Sequence, residues 1–202
     1  AHHVSTGQDL WGYKVHQGTV LYLALEDDES RLQRRMFRMF GVEGTNSLHF
    51  ATNAKMIGSG LDEQLEKFVR EHSDTKLIIV DTLQKVRQMV SDNYSYSSDY
   101  EVIGKLKQFA DRHGVCILIV HHTRKQPAGD SFKKISGTTG LSGCADGALI
   151  MQKEKRTDGK ATLEISGRDQ PDQRLYLSKD QERLVWLLDH AENELWKQPT
   201  DP

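Results

Sequence analysis

Three apolar runs in this 202-residue sequence end on side chains that can move protons or hold a cation. Leu77-Ile-Ile-Val80 leads into Asp81 and Thr82, Thr19-Val-Leu-Tyr-Leu-Ala-Leu25 into Glu26, and Val115-Cys-Ile-Leu-Ile-Val120 into His121 and His122. A carboxylate followed by a hydroxyl supplies hard oxygen atoms. A carboxylate can also hold the waters that Mg²⁺ retains when it sits at a nucleotide phosphate. Glu26, level with Asp81 if the two runs are parallel neighbours, is placed to act on a water. The plainer reading is that an Asp at a strand end caps the next helix or turn, and that a histidine pair is structural.

The elements that must position these groups follow from patterning. Short, β-branched apolar runs suit strands covered on both faces, and open parallel sheets bind ligands beyond the carboxyl ends of their strands. Glu26-Asp-Asp-Glu29 closes the first run, with Asp27 or Asp28 as a helix cap and the other acids favouring the helix's positive end. The following helix, Glu29 to Phe40, carries Leu32, Met36, Met39 and Phe40 on one side and Arg31, Arg34, Arg35 and Arg38 on the other. That basic stripe is either a solvated face or a subunit or nucleic-acid contact. Leu48 to Ala51 is a short strand, and Ser59 can cap a helix burying Leu61, Leu65, Phe68 and Val69. Ser91 to Asp99 is a polar loop. Ser98 with Glu101 forms a capping box for a helix running to His113, and Gly114 stops it. Strands alternating with helices imply βαβ crossovers and a parallel sheet with helices on both sides.

Beyond His122 the texture changes. Thr123 to Ser142 has glycines and the cations Arg124, Lys125, Lys133 and Lys134 but no hydrophobic period, as a long functional loop would. Gly147 to Gln152 and Lys160 to Ser166 flank Asp158-Gly159 as a hairpin, and Arg174 to Ser178 and Leu184 to Leu188 continue an antiparallel meander. The tail from Glu192 reads as peripheral, which makes residues 1–189 one domain and 190–202 an appendage.

Composition bounds the alternatives. A net charge of −2 creates no global basic field, so nucleic-acid binding requires a local patch. No run approaches membrane-spanning length and no segment reads as a signal peptide. Cys116 and Cys144 lack metal-ligand spacing and lie among apolar or small residues, which predicts buried thiols in a reducing cytoplasm and no structural zinc.

Taken together, the chain resembles the RecA-like ATPase core, closest to the RepA-like branch of ring-forming replicative helicases and related ATPases of plasmids and mobile elements. Val20 to Asp27, Leu77 to Thr82, Val120-His-His-Thr-Arg-Lys125 and Ser136-Gly-Thr-Thr-Gly-Leu-Ser-Gly143 carry the likeness, which covers Val4 to Leu177. It implies an α/β P-loop NTPase fold using ATP and Mg²⁺. Glu26 would activate the attacking water, and Asp81 would be the Walker B carboxylate holding Mg²⁺ through water, with Thr82 beside it. His122 would sense the γ-phosphate, hydrogen-bonding its oxygen and reporting its loss, with His121 the second choice. Arg124, Lys125, Lys133 and Lys134 would line a channel for single-stranded DNA in a homo-oligomeric, hexameric ring. Arg168, in Ser166-Gly-Arg-Asp169, would reach a neighbouring subunit's phosphate, or else belong to a surface cluster with Asp169 and Asp172.

One element of the pattern is missing. A nucleotide-hydrolysing member needs G-x-x-x-x-G-K-[ST], and no such run occurs here; Ile103-Gly-Lys-Leu106 falls inside a helix and Asp158-Gly-Lys160 in a hairpin turn. Ala1 to Thr6 resembles the end of the helix that follows this loop in the family. The expectation is therefore a chain that begins just after the P-loop strand, with a vacant or substituted sheet position beside the Asp81 strand and weak ATP binding alone. A non-catalytic DNA-binding or subunit-joining relative, and a regulatory ATPase of the recombination-mediator type, are the competing readings.

Overall fold

The computed structural model describes residues 1–41, 44–87, 96–122, 144–153, 155, 157 and 159–192, with residues 96–99 described by their backbone alone. Helix α1 (His2–Thr6) leads to strand β1 (Thr19–Ala24), α2 (Glu29–Phe40), β2 (Leu48–Ala51), α3 (Leu61–Glu71) and β3 (Thr75–Asp81). There follow α4 (Leu83–Val86), α5 (Tyr96–His113) and β4 (Cys116–Val120). The antiparallel strands β5 (Gly147–Gln152), β6 (Lys160–Gly167), β7 (Gln170–Lys179) and β8 (Trp186–Ala191) complete the order.

The first four strands form a parallel sheet in the order β2-β1-β3-β4, and the last four an antiparallel sheet in the order β5-β6-β7-β8. This is a RecA-like α/β core with a C-terminal meander. Alternation along β1 and β3 turns Leu21, Leu23, Ile78 and Val80 to one face. There they bury against Leu61 and Leu65 of α3 and Ile103, Leu106 and Phe109 of α5. The second sheet has its own core of Leu163, Leu175, Leu177 and Ala191. Trp11 from the loop after α1 packs on that core, and its indole Nε1 donates to the Trp186 carbonyl at 2.9 Å.

Local chemistry explains most boundaries. Asp28 caps α2, its carboxylate accepting from the Arg31 amide at 2.8 Å, and Gly7 ends α1 in the left-handed region at φ 71°. Other expectations are corrected. Ser59 does not cap α3: Gly60, at φ 106°, stands between them as the N-cap residue, with no side-chain hydrogen bond. Helix α5 starts at Tyr96, two residues before the Ser98 expected to precede it. The apolar run of β4 predicts a strand covered on both faces, yet β4 is at the edge of the sheet formed by the described strands, with Leu118 39% exposed. Cys116 is exposed for the same reason and Cys144 only half-buried, so neither is the deeply buried thiol its neighbours suggest. Among the described strands, β1 and β4 flank β3 directly.

Candidate functional site

Register decides which side chains share a rim. Ala24 of β1 pairs with Asp81 of β3, and Asp81 with Val120 of β4. Neighbouring strands lie about 4.8 Å apart. Three parallel strands therefore end level with one another, and the next residues out are Glu26, Thr82, His121 and His122. The Leu25 amide donates to the Asp81 carbonyl at 2.8 Å, extending the ladder one step past β1 and fixing where Glu26 leaves the sheet.

Two hydroxyls hold the two carboxylates. Tyr22 Oη of β1 donates to Asp81 Oδ2 at 2.6 Å, a short bond of the charge-assisted kind. Thr82 Oγ1, just past β3, donates to Glu26 Oε1 at 3.2 Å. Each strand thus positions the acid of the other. Thr82 is buried, Asp81 is half-buried and Glu26 is exposed, so the hydroxyl is seated in the sheet and the two acids keep a path to solvent. Burial, and then the bond to Asp81, raise the Tyr22 phenol well above its ordinary value, so it stays protonated and remains a donor. The Asp81–Thr82 peptide bond is cis.

Sequence reasoning missed Tyr22. Its signal was available: Tyr22 pairs with Ile79, and Asp81 lies two residues further on the same face, within diagonal reach of a long aromatic side chain. The Tyr22 ring also rests on Phe50 of β2, with centroids 5.5 Å apart.

The acids after Glu26 serve the helix. Asp27 pairs with Arg31 and, at 2.9 Å, with Arg35, while Arg31 Nη2 donates to the Glu26 carbonyl at 2.6 Å. Arg38 donates to the carbonyls of Gln181 and Glu182 at 3.0 and 2.7 Å, and Arg183 returns a bond to the Met39 carbonyl at 3.2 Å. Three of the four arginines of the α2 stripe are therefore engaged within the chain. A concavity of about 410 Å³ beyond β1 and β2 is lined by Asp27, Asp28, Glu29, Ser30, Thr52 and Asn53. Its acids repel a polyphosphate.

Not every candidate lies on that rim. Arg168 is in the turn between β6 and β7; its amide donates to the Asp146 carbonyl at 2.9 Å and its guanidinium stands 3.8 Å from the Asp146 carboxylate. Asp146 also meets Lys107 of α5 at 2.9 Å. Arg124, Lys125, Lys133 and Lys134 lie outside the described residues, as does the Gly-rich run from Ser136 to Gly143. Among the described residues, no three His, Cys, Asp or Glu side chains converge as a metal cage, and no helix is long and apolar enough to cross a membrane. The donors at the rim are hard oxygens with few protein ligands. That fits Mg²⁺, which keeps much of its water shell.

A family model described as an AAA domain matches residues 1–128, a span holding Glu26, Asp81, Thr82 and both histidines. The chain belongs to this AAA domain family. Arg168 and the meander lie beyond the matched part of the AAA domain.

Among solved structures, the AAA domain is similar to one described as an ATPase domain, with TM-score 0.68 and 13% identity over 84% of this chain and 74% of that one. It is similar to a DnaB-like replicative helicase whose structure addresses its interactions with primase, with TM-score 0.70 and 13% identity over 84% of this chain. The chain spans about half of that helicase, 51%. The RadB recombinase matches with TM-score 0.55 and 16% identity, over 83% of this chain and 77% of its own. At these identities the likeness is one of fold. No curated protein sequence matches the chain.

Proposed function

We propose that this AAA domain is the core of an ATP-driven DNA helicase or DNA-dependent ATPase of the RepA-like branch, serving plasmid or mobile-element replication in the cytoplasm. The observation that carries the reading is the shared rim: Asp81 ends its strand level with Ala24, Glu26 follows two residues further out on the adjacent parallel strand, and each acid is held by a hydroxyl from the other strand. Glu26, open to solvent and fixed through Oε1, takes the proton of an attacking water. Asp81 and Thr82 face the nucleotide's cation, which when bound neutralises phosphate charge. His122, two residues past the end of β4, hydrogen-bonds the γ-phosphate, with His121 behind it.

The remaining parts of the proposal extend to an assembly. Arg124, Lys125, Lys133 and Lys134 neutralise the backbone of a single strand without reading its bases. Arg168 exchanges its solvent-exposed pairing with Asp146 for a neighbouring subunit's phosphate in a hexameric ring; such an exposed pair costs little to break. The core runs to Ala191, whose buried side chain at the end of β8 carries it two residues past the boundary expected at 189. The absence of a G-x-x-x-x-G-K-[ST] run from the 202 residues favours weak ATP binding by this chain alone, and keeps a DNA-binding or subunit-joining relative as the second reading.

The discriminating experiment is strand displacement on a forked duplex by the full-length gene product. Unwinding that depends on ATP supports the helicase reading. DNA-stimulated hydrolysis without unwinding supports the recombination-mediator alternative, and DNA binding without hydrolysis supports the non-catalytic one.

A further inference from the structure

The two oxygens of Asp81 are not equivalent. Oδ2 is occupied by the Tyr22 hydroxyl at 2.6 Å, while Oδ1 has no partner among the described residues. The phenol is held by its own strand and by the Phe50 ring behind it. A cation reaching for both oxygens therefore meets Oδ2 against a hydrogen bond already made, which disfavours bidentate binding. That restriction has different consequences for different cations. Ca²⁺ takes six to eight oxygens and gains from bidentate carboxylates, whereas Mg²⁺ and Mn²⁺ favour six ligands and accept a single carboxylate oxygen, directly or through water.

We propose that Tyr22 is a specificity-determining residue that excludes Ca²⁺ from the Asp81 site by occupying the second carboxylate oxygen. The inference rests on Asp81 being the cation-facing carboxylate, as proposed above. It assigns a chemical task to a side chain that otherwise reads as strand packing. The hydroxyl alone does this work: phenylalanine at position 22 would keep the contact with Phe50 and free Oδ2.

The test uses the 202-residue chain and Mn²⁺ as probe, with bound metal read from the loss of the free-ion electron paramagnetic resonance signal and Ca²⁺ added as competitor. The expected result is Mn²⁺ binding that Asp81→Asn removes, with Ca²⁺ a poor competitor in the wild type. Tyr22→Phe is expected to improve the competition by Ca²⁺ about tenfold relative to Mn²⁺, the scale of one hydrogen bond to a charged group. An unchanged Ca²⁺ to Mn²⁺ ratio in Tyr22→Phe, with Asp81→Asn still abolishing binding, overturns the role of Tyr22 and leaves the reading of Asp81 standing. Mn²⁺ binding unaffected by Asp81→Asn overturns both. Should Tyr22→Phe fail to fold, the wild type carries the test through the ultraviolet absorption of its phenols. Mg²⁺ should shift that absorption in the wild type and not in Asp81→Asn, and a spectrum indifferent to Mg²⁺ contradicts the proposal.

Discussion

The Tyr22 hydroxyl of β1 reaches diagonally across the parallel pair to Asp81 Oδ2 of β3, and from just past β3 the Thr82 hydroxyl reaches back to Glu26 Oε1. The two bonds lock the ends of adjacent strands to each other through the groups proposed to do chemistry. Neither carboxylate has to find its orientation when a ligand arrives, and that preorganisation is what makes a proton acceptor effective.

Thr82→Val tests the second of these bonds. Valine preserves the shape of a side chain that is 1% exposed, and the acceptor it abandons, Glu26, is open to water. The loss of stability should therefore stay below about 1 kcal/mol. Single-turnover ATP hydrolysis by the full-length gene product should fall about tenfold with nucleotide affinity retained, because the proposed general base, Glu26, is less well aimed.

Arg38→Ala tests the tie between the two sheets. Its guanidinium spans the carbonyls of Gln181 and Glu182, 143 residues and more away in sequence, and Arg183 answers from the other side. Faster amide exchange confined to residues 180–184 is expected, with about 1 kcal/mol lost in urea unfolding. Arg38→Lys should restore only part of it, since an ammonium cannot reproduce the fork.

How much of this was legible in the sequence differs by element. Strands β1 and β2 fall where short apolar runs put them and α2 where helical periodicity puts it, because β1 is covered on both faces and α2 is divided between core and solvent. The rim was legible as well, since acids and imidazoles at the ends of apolar runs mark strand ends. Three things were not. The edge position of β4 is a matter of sheet order, which no local pattern encodes, so Cys116 and Leu118 read as core. The arginines of α2 look like a free basic face until Arg38 is found on the β7–β8 turn; Asp27 with Arg31, by contrast, is an i,i+4 pair visible by counting. Tyr22 was hidden because an aromatic residue in a strand is usually packing, and its hydroxyl acts through a pairing register that only the fold sets.

Histidine chemistry gives a pH dependence. Burial, and then the nearby charge of His72, lower the pKa of His49, whose Nε2 is buried without a partner among the described residues and whose ring lies 4.3 Å from that of His72. Folding therefore favours neutral His49. Its contribution is fully present above the unfolded value near 6.5 and is lost as pH falls through the lower folded value. Thermal unfolding should show the wild type losing more stability than His49→Phe between about pH 7 and about pH 5.

The core beneath the rim should be sensitive to truncation. Leu65 of α3 is 1% exposed among Leu21, Leu23, Ile78 and Val80 of the sheet. Leu65→Ala should cost about 2–5 kcal/mol in urea unfolding, the range for a leucine removed from a close-packed site.

Glu26 is proposed above as the proton acceptor at a phosphate rim shared with Asp81. The most direct test is Glu26→Gln in the full-length gene product, with nucleotide binding and DNA-stimulated hydrolysis measured side by side. An amide still accepts the Thr82 hydrogen bond but cannot take a proton, so ATP binding should persist while hydrolysis drops by about a hundredfold or more. Hydrolysis at the wild-type rate in that variant would contradict the account.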